Sequence, residues 1–211
     1  MSSSEPKSPR IRQLEATRAS ILDAALAMLR DEPFEHFSHE AVAERAGVAA
    51  RTAYRHFPTR ADLVRALWER LRDETGTRWP GTEAEILPAT RAQFETFEAH
   101  SALVRASIVA AASANYPEHG STEGRAAFRA SLADITAAMP PEEADRLVAL
   151  CVAVYSAPFW QMLRDRGQLS NEQAADAASW ALEAILDAAR RSANLPPQPP
   201  TPAPIPETPD P

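Results

Sequence analysis

Between Ser38 and Leu67 the chain reads SHEAVAERAGVAARTAYRHFPTRADLVRAL, and this stretch restricts the fold more than any other. Ser38 is of the type whose side chain accepts from the free N–H groups of a helix start. Behind it Val42, Ala43 and Ala46 recur at helical spacing and predict a short helix over 39–46. Gly47 then occupies the position where a helix end favours a left-handed residue. A third short helix is expected over 50–56, stopped by Phe57-Pro58, and Thr59 can cap a fourth with the inward face Leu63, Val64, Leu67, Trp68 and Leu71. Ala43 and Ala46 are small enough for the second and third helices to cross closely, with Gly47 making the turn and Val48 filling the gap. Tyr54 and Phe57 are expected to anchor the third helix, leaving Ala50, Arg51, Thr52, Arg55 and His56 facing outward. This is the arrangement of a helix-turn-helix, whose second helix enters the DNA major groove.

The rest of the chain is also helical in pattern. Ile21, Leu22, Ala25, Leu26 and Leu29 predict an amphipathic helix over 15–30, ended by Asp31-Glu32-Pro33 and followed by Phe34 and Phe37 as a hydrophobic plug. Further helices are expected over 89–100, 102–115, 122–138, 142–166 and 171–193, with Pro158 kinking the fourth of these. No strand alternation interrupts them, so the fold class is all-α. Pro80, Gly81 and Pro88 mark a boundary. The expected organisation is a flexible arm over 1–13, a DNA-binding domain over 14–75, a helical domain over 76–194 and a disordered Pro-rich tail over 195–211. Lys7, Arg10 and Arg12 of the arm either touch DNA or form a plain charged tail.

Charge sharpens the picture. The net charge is -7, which argues against a general nucleic-acid coat. Yet the stretch from Ala46 to Ala61 holds no acid and carries Arg51, Arg55, His56 and Arg60, a local match for phosphate. The single cysteine, Cys151, excludes an internal disulfide framework and, in its apolar surroundings, reads as a buried inert thiol. With no signal-type N-terminus and no run of ~18 apolar residues, a cytoplasmic protein with no membrane partner is expected. No Gly-rich phosphate loop, nucleophile elbow or HExxH helix is present, so no enzyme, catalytic residue or cofactor is expected. His36 and His39 are three apart but lack a third ligand, so no metal site is expected either.

Thr17-Arg18, Ile21-Leu22, Ala24-Ala25 and Leu29, then Ala46-Gly47-Val48, then Thr52-x-Tyr54-x-His56-Phe57, then Pro58-Thr59-Arg60 and Asp62-Leu63 together resemble the N-terminal domain of the tetracycline-repressor (TetR) family. The resemblance covers about residues 14–72. It implies a bacterial one-component transcription regulator, a homodimer on operator DNA, with contacts from Arg18, Ser38, Ala49, Ala50, Arg51, Thr52, Tyr54, Arg55, His56 and Arg60. In the family the tyrosine at position 54 packs and gives its hydroxyl to a phosphate. Two positions depart from the pattern: Ala49 stands where Ser or Thr often caps the recognition helix, and Arg60 where Lys is usual.

The resemblance further implies C-terminal helices that enclose a small-molecule site. Phe94, Phe97, His100, Leu103, Tyr116 and Tyr155 are its candidate lining, for a mostly apolar, as yet unidentified effector. The small-residue stripe of the last helix is the candidate dimer interface: Ala174, Ala178, Trp180, Ala181, Ile185 and Ala188. The leading expectation is a repressor released from a palindromic operator by its effector. A protein of the same fold without a small-molecule effector, or an all-α protein that has lost DNA binding, remain the alternatives.

Overall fold

The structure, a computed structural model, describes residues 8–32, 36–113 and 119–196. Eleven α-helices form among these, with no strand. Their order is α1 (Pro9–Asp31), α2 (His39–Arg45), α3 (Ala50–His56), α4 (Arg60–Thr75), α5 (Ile86–Ala99), α6 (Ser101–Ser113), α7 (His119–Ser131), α8 (Ala133–Ala137), α9 (Pro141–Tyr155), α10 (Ala157–Asp165) and α11 (Asn171–Ser192). Phe34 and Tyr116 lie outside the described residues, as do Lys7 and the tail beyond Pro196.

Helix ends follow the capping chemistry in the sequence. Ser38 accepts from the Ala41 N–H at 3.1 Å, Gly47 has φ +67°, and Thr59 and Asp62 form a reciprocal capping box. Three expectations are corrected. First, α1 starts at Pro9 rather than near Glu15, so residues 9–13 are helical and not part of an arm; Ser8 caps the start and Pro9 arrives with φ already set for a helix. Second, the helix expected over 122–138 divides at Leu132 into α7 and α8. Third, the kink expected at Pro158 is a full break. Ser156 is extended, ends α9, and its hydroxyl accepts from the Phe159 N–H to start α10, so the two axes differ by 53°. No single described helix is long and apolar enough to cross a membrane; α9 and α10 reach the required length only together, across that bend.

The chain divides into two compact units, residues 1–78 with 95–119, and residues 79–94 with 120–211. The dividing line therefore falls inside α5, and α6 sits in the first unit rather than with the later helices of the 76–194 segment. In the first unit α6 packs on α4 and α1, and α1 also packs on α2 and α4. The shared core runs through Ile21, Leu22, Ala25, Val42, Ala53, Phe57, Leu63, Leu67, Leu71, Leu103 and Ala106. Burying each such Leu, Ile or Phe stabilises by about 1.5–3 kcal/mol, which is what holds the short helices α2 and α3 that could not persist alone.

In the second unit α9 packs on α8, α10 and α11, and α10 on α11. Trp160 is fully buried and donates its indole N–H to Asn171 at 3.0 Å, locking α10 to the start of α11. Arg190 on α11 donates from Nε to Glu83 at 2.8 Å, in a pair whose side chains are only 15% and 12% exposed. Cys151 is buried and burial pushes its thiol up to about 12, which leaves it inert at neutral pH.

Candidate nucleic-acid interface

The interface is built from α2 and α3. The turn between them is fixed by Gly47 N–H to Glu44 O at 3.1 Å and Val48 N–H to Ala43 O at 2.9 Å. Of the seven residues of α3, Ala53 is the one fully sealed against the core. Phe57, just past the helix, is buried beside it. Tyr54, expected to anchor the helix from below, is instead 43% exposed; the small Ala53 and the ring of Phe57 do the anchoring. The remaining face is open: Arg51 and Arg55 are exposed, and Ala50, Thr52 and His56 are half-buried. Ala49 caps α3 by backbone geometry alone, with no side-chain hydrogen bond.

The arginines of the first unit separate into two kinds. Arg45 pairs with Asp31 and Glu32, Arg65 with Asp62, and Arg70 with Asp23 and Glu74. Arg51 and Arg55 have no carboxylate partner among the described residues, so their guanidinium groups present to solvent five donors each. Arg18 lies over the Phe57 ring at 4.8 Å, and Arg60 over Phe37 at 5.7 Å; both cations are thereby held next to α3 by an aromatic face. His56 is shifted below its ordinary value, first by burial and then by the neighbouring charges of Arg55 and Arg18, and its Nε2 is shielded from solvent without a hydrogen-bond partner. The C-terminal end of α3 thus gathers Arg18, Arg55 and a neutral His56, a cationic patch suited to an anion.

Two residues were missed in the sequence. His39 is buried and its Nε2 lies 2.7 Å from the Phe57 carbonyl, to which it donates. Its ring stacks on Tyr54 with centroids 4.3 Å apart and planes 11° apart. Glu40 accepts the Tyr54 hydroxyl at 2.9 Å, which holds the carboxyl below its usual range, its own backbone N–H acting first and Tyr54 second. The signal available was position: the first turn of α2 must cross α3, so residues 39 and 40 meet residues 54–57. Ser38 spends its hydroxyl on the helix cap.

The candidate lining of a small-molecule site divides between the units. Phe97, His100 and Leu103 fall in the first, Phe94 and Tyr155 in the second. Phe97 stacks on Trp68 at 5.9 Å, and Leu103 belongs to the core. His100 is lowered, by burial and then Arg30, against an opposing effect of Glu74. In the second unit Tyr155 joins Trp79 and Phe128, each with ring centroids 5.3 Å from it, and donates its hydroxyl to Gln93 at 3.4 Å. Trp79 and Gln93 were not among the expected residues. Of the candidate dimer residues, Ala174 and Ala178 are fully buried inside the second unit and are corrected: a sealed methyl offers no surface to a partner. Trp180 is 72% exposed, Ala188 is exposed, and Ala181 and Ile185 are half-buried.

A short helix seated by one buried alanine, crossed by a capped helix and lined with unpartnered arginines, defines a helix-turn-helix DNA-binding domain. The family model described as "Bacterial regulatory proteins, tetR family" matches residues 21–67. Over those residues the chain is similar to that family. A transcriptional repressor of Mycolicibacterium smegmatis, LfrR, is 44% identical over 59 residues, which is 28% of this chain and 30% of that relative. A TetR transcriptional regulator from Rhodococcus shares the fold over 81% of this chain and 97% of its own, at 24% identity and a TM-score of 0.58. A TetR family regulator from Pseudomonas syringae pv. tomato does so over 80% and 94%, at 24% identity and 0.51. The all-α fold of these regulators therefore extends beyond the matched residues.

Proposed function

We propose that the chain is a dimeric transcriptional repressor that binds an inverted-repeat operator through α3 of each copy and is released by a small, mostly apolar molecule. The observation that carries the DNA-binding part is the outward face of α3, where Arg51 and Arg55 stand exposed and without carboxylate partners while neighbouring arginines are paired. Arg51 is the base reader, since a guanidinium can pair bidentately with guanine. Arg60, Arg18, Tyr54 and His56 serve phosphate. Dimerisation is supported by the apolar surface of the second unit: Trp180 on α11, Leu150 on α9 and Met162 on α10 are all exposed, on helices that pack together. The effector is supported by the Trp79–Phe128–Tyr155 cluster with Gln93 as a polar handle, the composition usual for small-molecule sites.

In vitro selection of duplexes on the wild-type protein, followed by gel shift, tests the reading. Arg60→Ala is expected to weaken all sequences alike and flatten the salt slope by about one unit. Arg51→Ala is expected to relax sequence preference at a cost of about 1–3 kcal/mol. Wild-type affinity and preference in both variants would refute the assignment. Release is tested by a thermal-shift screen with and without the selected duplex: a true effector must bind more weakly in its presence, by the same factor that it weakens DNA binding.

A further inference from the structure

We propose that Glu40 tunes operator affinity downward, by competing with a DNA phosphate for the single hydroxyl proton of Tyr54; this rests on the DNA-binding reading above. The geometry around Tyr54 is over-determined. Its ring lies flat on His39, 4.3 Å away. His39 is itself buried and tied to the Phe57 carbonyl at 2.7 Å. The phenol is therefore held in one place on the exposed side of α3, and its hydroxyl ends on Glu40 Oε1 at 2.9 Å.

A phenol carries one proton and donates to one acceptor at a time. A phosphate oxygen that arrives at Tyr54 must take that proton from Glu40. The carboxylate, ionised at neutral pH because its own backbone N–H and Tyr54 both favour the charged form, is then left beside the phosphate with nothing between them. The acid-free run from Ala46 to Ala61 gives no hint of this charge; the crossing of α2 over α3 delivers it. Two like charges about 6 Å apart in water change an equilibrium constant by about threefold, and by more where water is partly excluded. The opposite role is also physically clear. If the hydrogen bond merely steadied Tyr54 for DNA, Glu40 would strengthen binding, so the sign of one substitution separates the two.

Glu40→Gln keeps the shape and the acceptor oxygen and removes the charge. Binding is measured by fluorescence anisotropy on a duplex selected with the wild-type protein and on a random-sequence duplex of the same length. The variant is expected to bind both about threefold more tightly or better at low salt, with the gain shrinking as salt rises. In a Tyr54→Phe background the gain is expected to be smaller, because there is no proton to contest, and the double-mutant cycle reads that difference. Thermal melts of each variant check that the domain stays folded. Unchanged or weaker binding by a folded Glu40→Gln protein overturns the proposal, as does an equal gain with and without the hydroxyl. A wild type that binds a selected duplex while the variant gains nothing sinks this proposal alone; a wild type that binds no duplex sinks the DNA-binding reading with it.

Discussion

A methyl group at Gly124 would test how the second unit is built around Trp79. Gly124 lies within α7, and a Cβ added there would stand 2.8 Å from Cη2 of the indole, 3.1 Å from Cζ3 and 3.2 Å from Cζ2. Carbon atoms in contact stand about 3.5–4.0 Å apart, so the ring would have to retreat by about 0.7 Å. The retreat is blocked by Phe128, edge-on at 6.4 Å between centroids, and by Tyr155, tilted at 5.3 Å. Two effects oppose each other in Gly124→Ala. Helix propensity favours alanine by about 0.8–1.0 kcal/mol, and overpacking costs about 1–3 kcal/mol. The net expectation is a loss of about 1 kcal/mol. In a Trp79→Ala background the clash is gone and only the propensity remains, so the same substitution is expected to stabilise by about 1 kcal/mol. Urea unfolding followed by circular dichroism gives all four corners of the cycle, with an expected coupling of about 2 kcal/mol. Stabilisation by Gly124→Ala in both backgrounds would show that Trp79 does not pack on this glycine.

Two further outcomes follow from the caps and from the exposed face of α11. Thr59→Ala removes the α4 cap and is expected to cost about 1 kcal/mol at neutral pH. The Asp62 carboxyl is held below its ordinary value of 3.8, first by the Thr59 hydroxyl, so its contribution is present at neutral pH and is lost as the pH falls through the folded value; the gap between variant and wild type should narrow as the pH falls below 3.8, and a gap that stays constant would refute the linkage. Ile185→Arg is expected to place an unpaired charge between copies and yield folded monomers by light scattering, whereas Ala174→Arg, inside the unit, should prevent folding; a wild type that is monomeric at micromolar concentration would refute the interface.

What the sequence made legible is what local chemistry decides. Ser38, Gly47 and Thr59 each serve a backbone group within five residues, so α2, α3 and α4 could be bounded to within a residue or so. The start of α1 was missed because residues 9–13 add no inward apolar face, Ile11 being 49% exposed, although Ser then Pro is itself a helix start. The partition of the chain was missed for a different reason. The packing of α6 on α4 joins segments some forty residues apart through Leu103 and Ala106, and nothing in either segment names its partner. The same holds for Ala174 and Ala178: a stripe of small residues says that something approaches closely, but not whether it belongs to the same chain.

The interface shows where this limit bears on function. Charge counted along the chain describes the surface of one helix, whereas DNA meets the surface of two helices that cross. The recognition helix and its flanks contain no acid from Ala46 to Ala61, which predicts a purely cationic face. Folding adds the first turn of α2 to that face, and with it His39 beneath Tyr54 and Glu40 at its hydroxyl. It also adds Arg18 from α1 over the Phe57 ring, close enough to His56 to disfavour its protonation. On the proposed reading, the patch offered to an operator is composed of three segments of opposing charge, and its affinity balances Arg18, Arg51 and Arg55 against Glu40. A balance of this kind would suit the proposed release from an operator, because a modest change in the setting of α2 against α3 would alter a difference of charges rather than a sum.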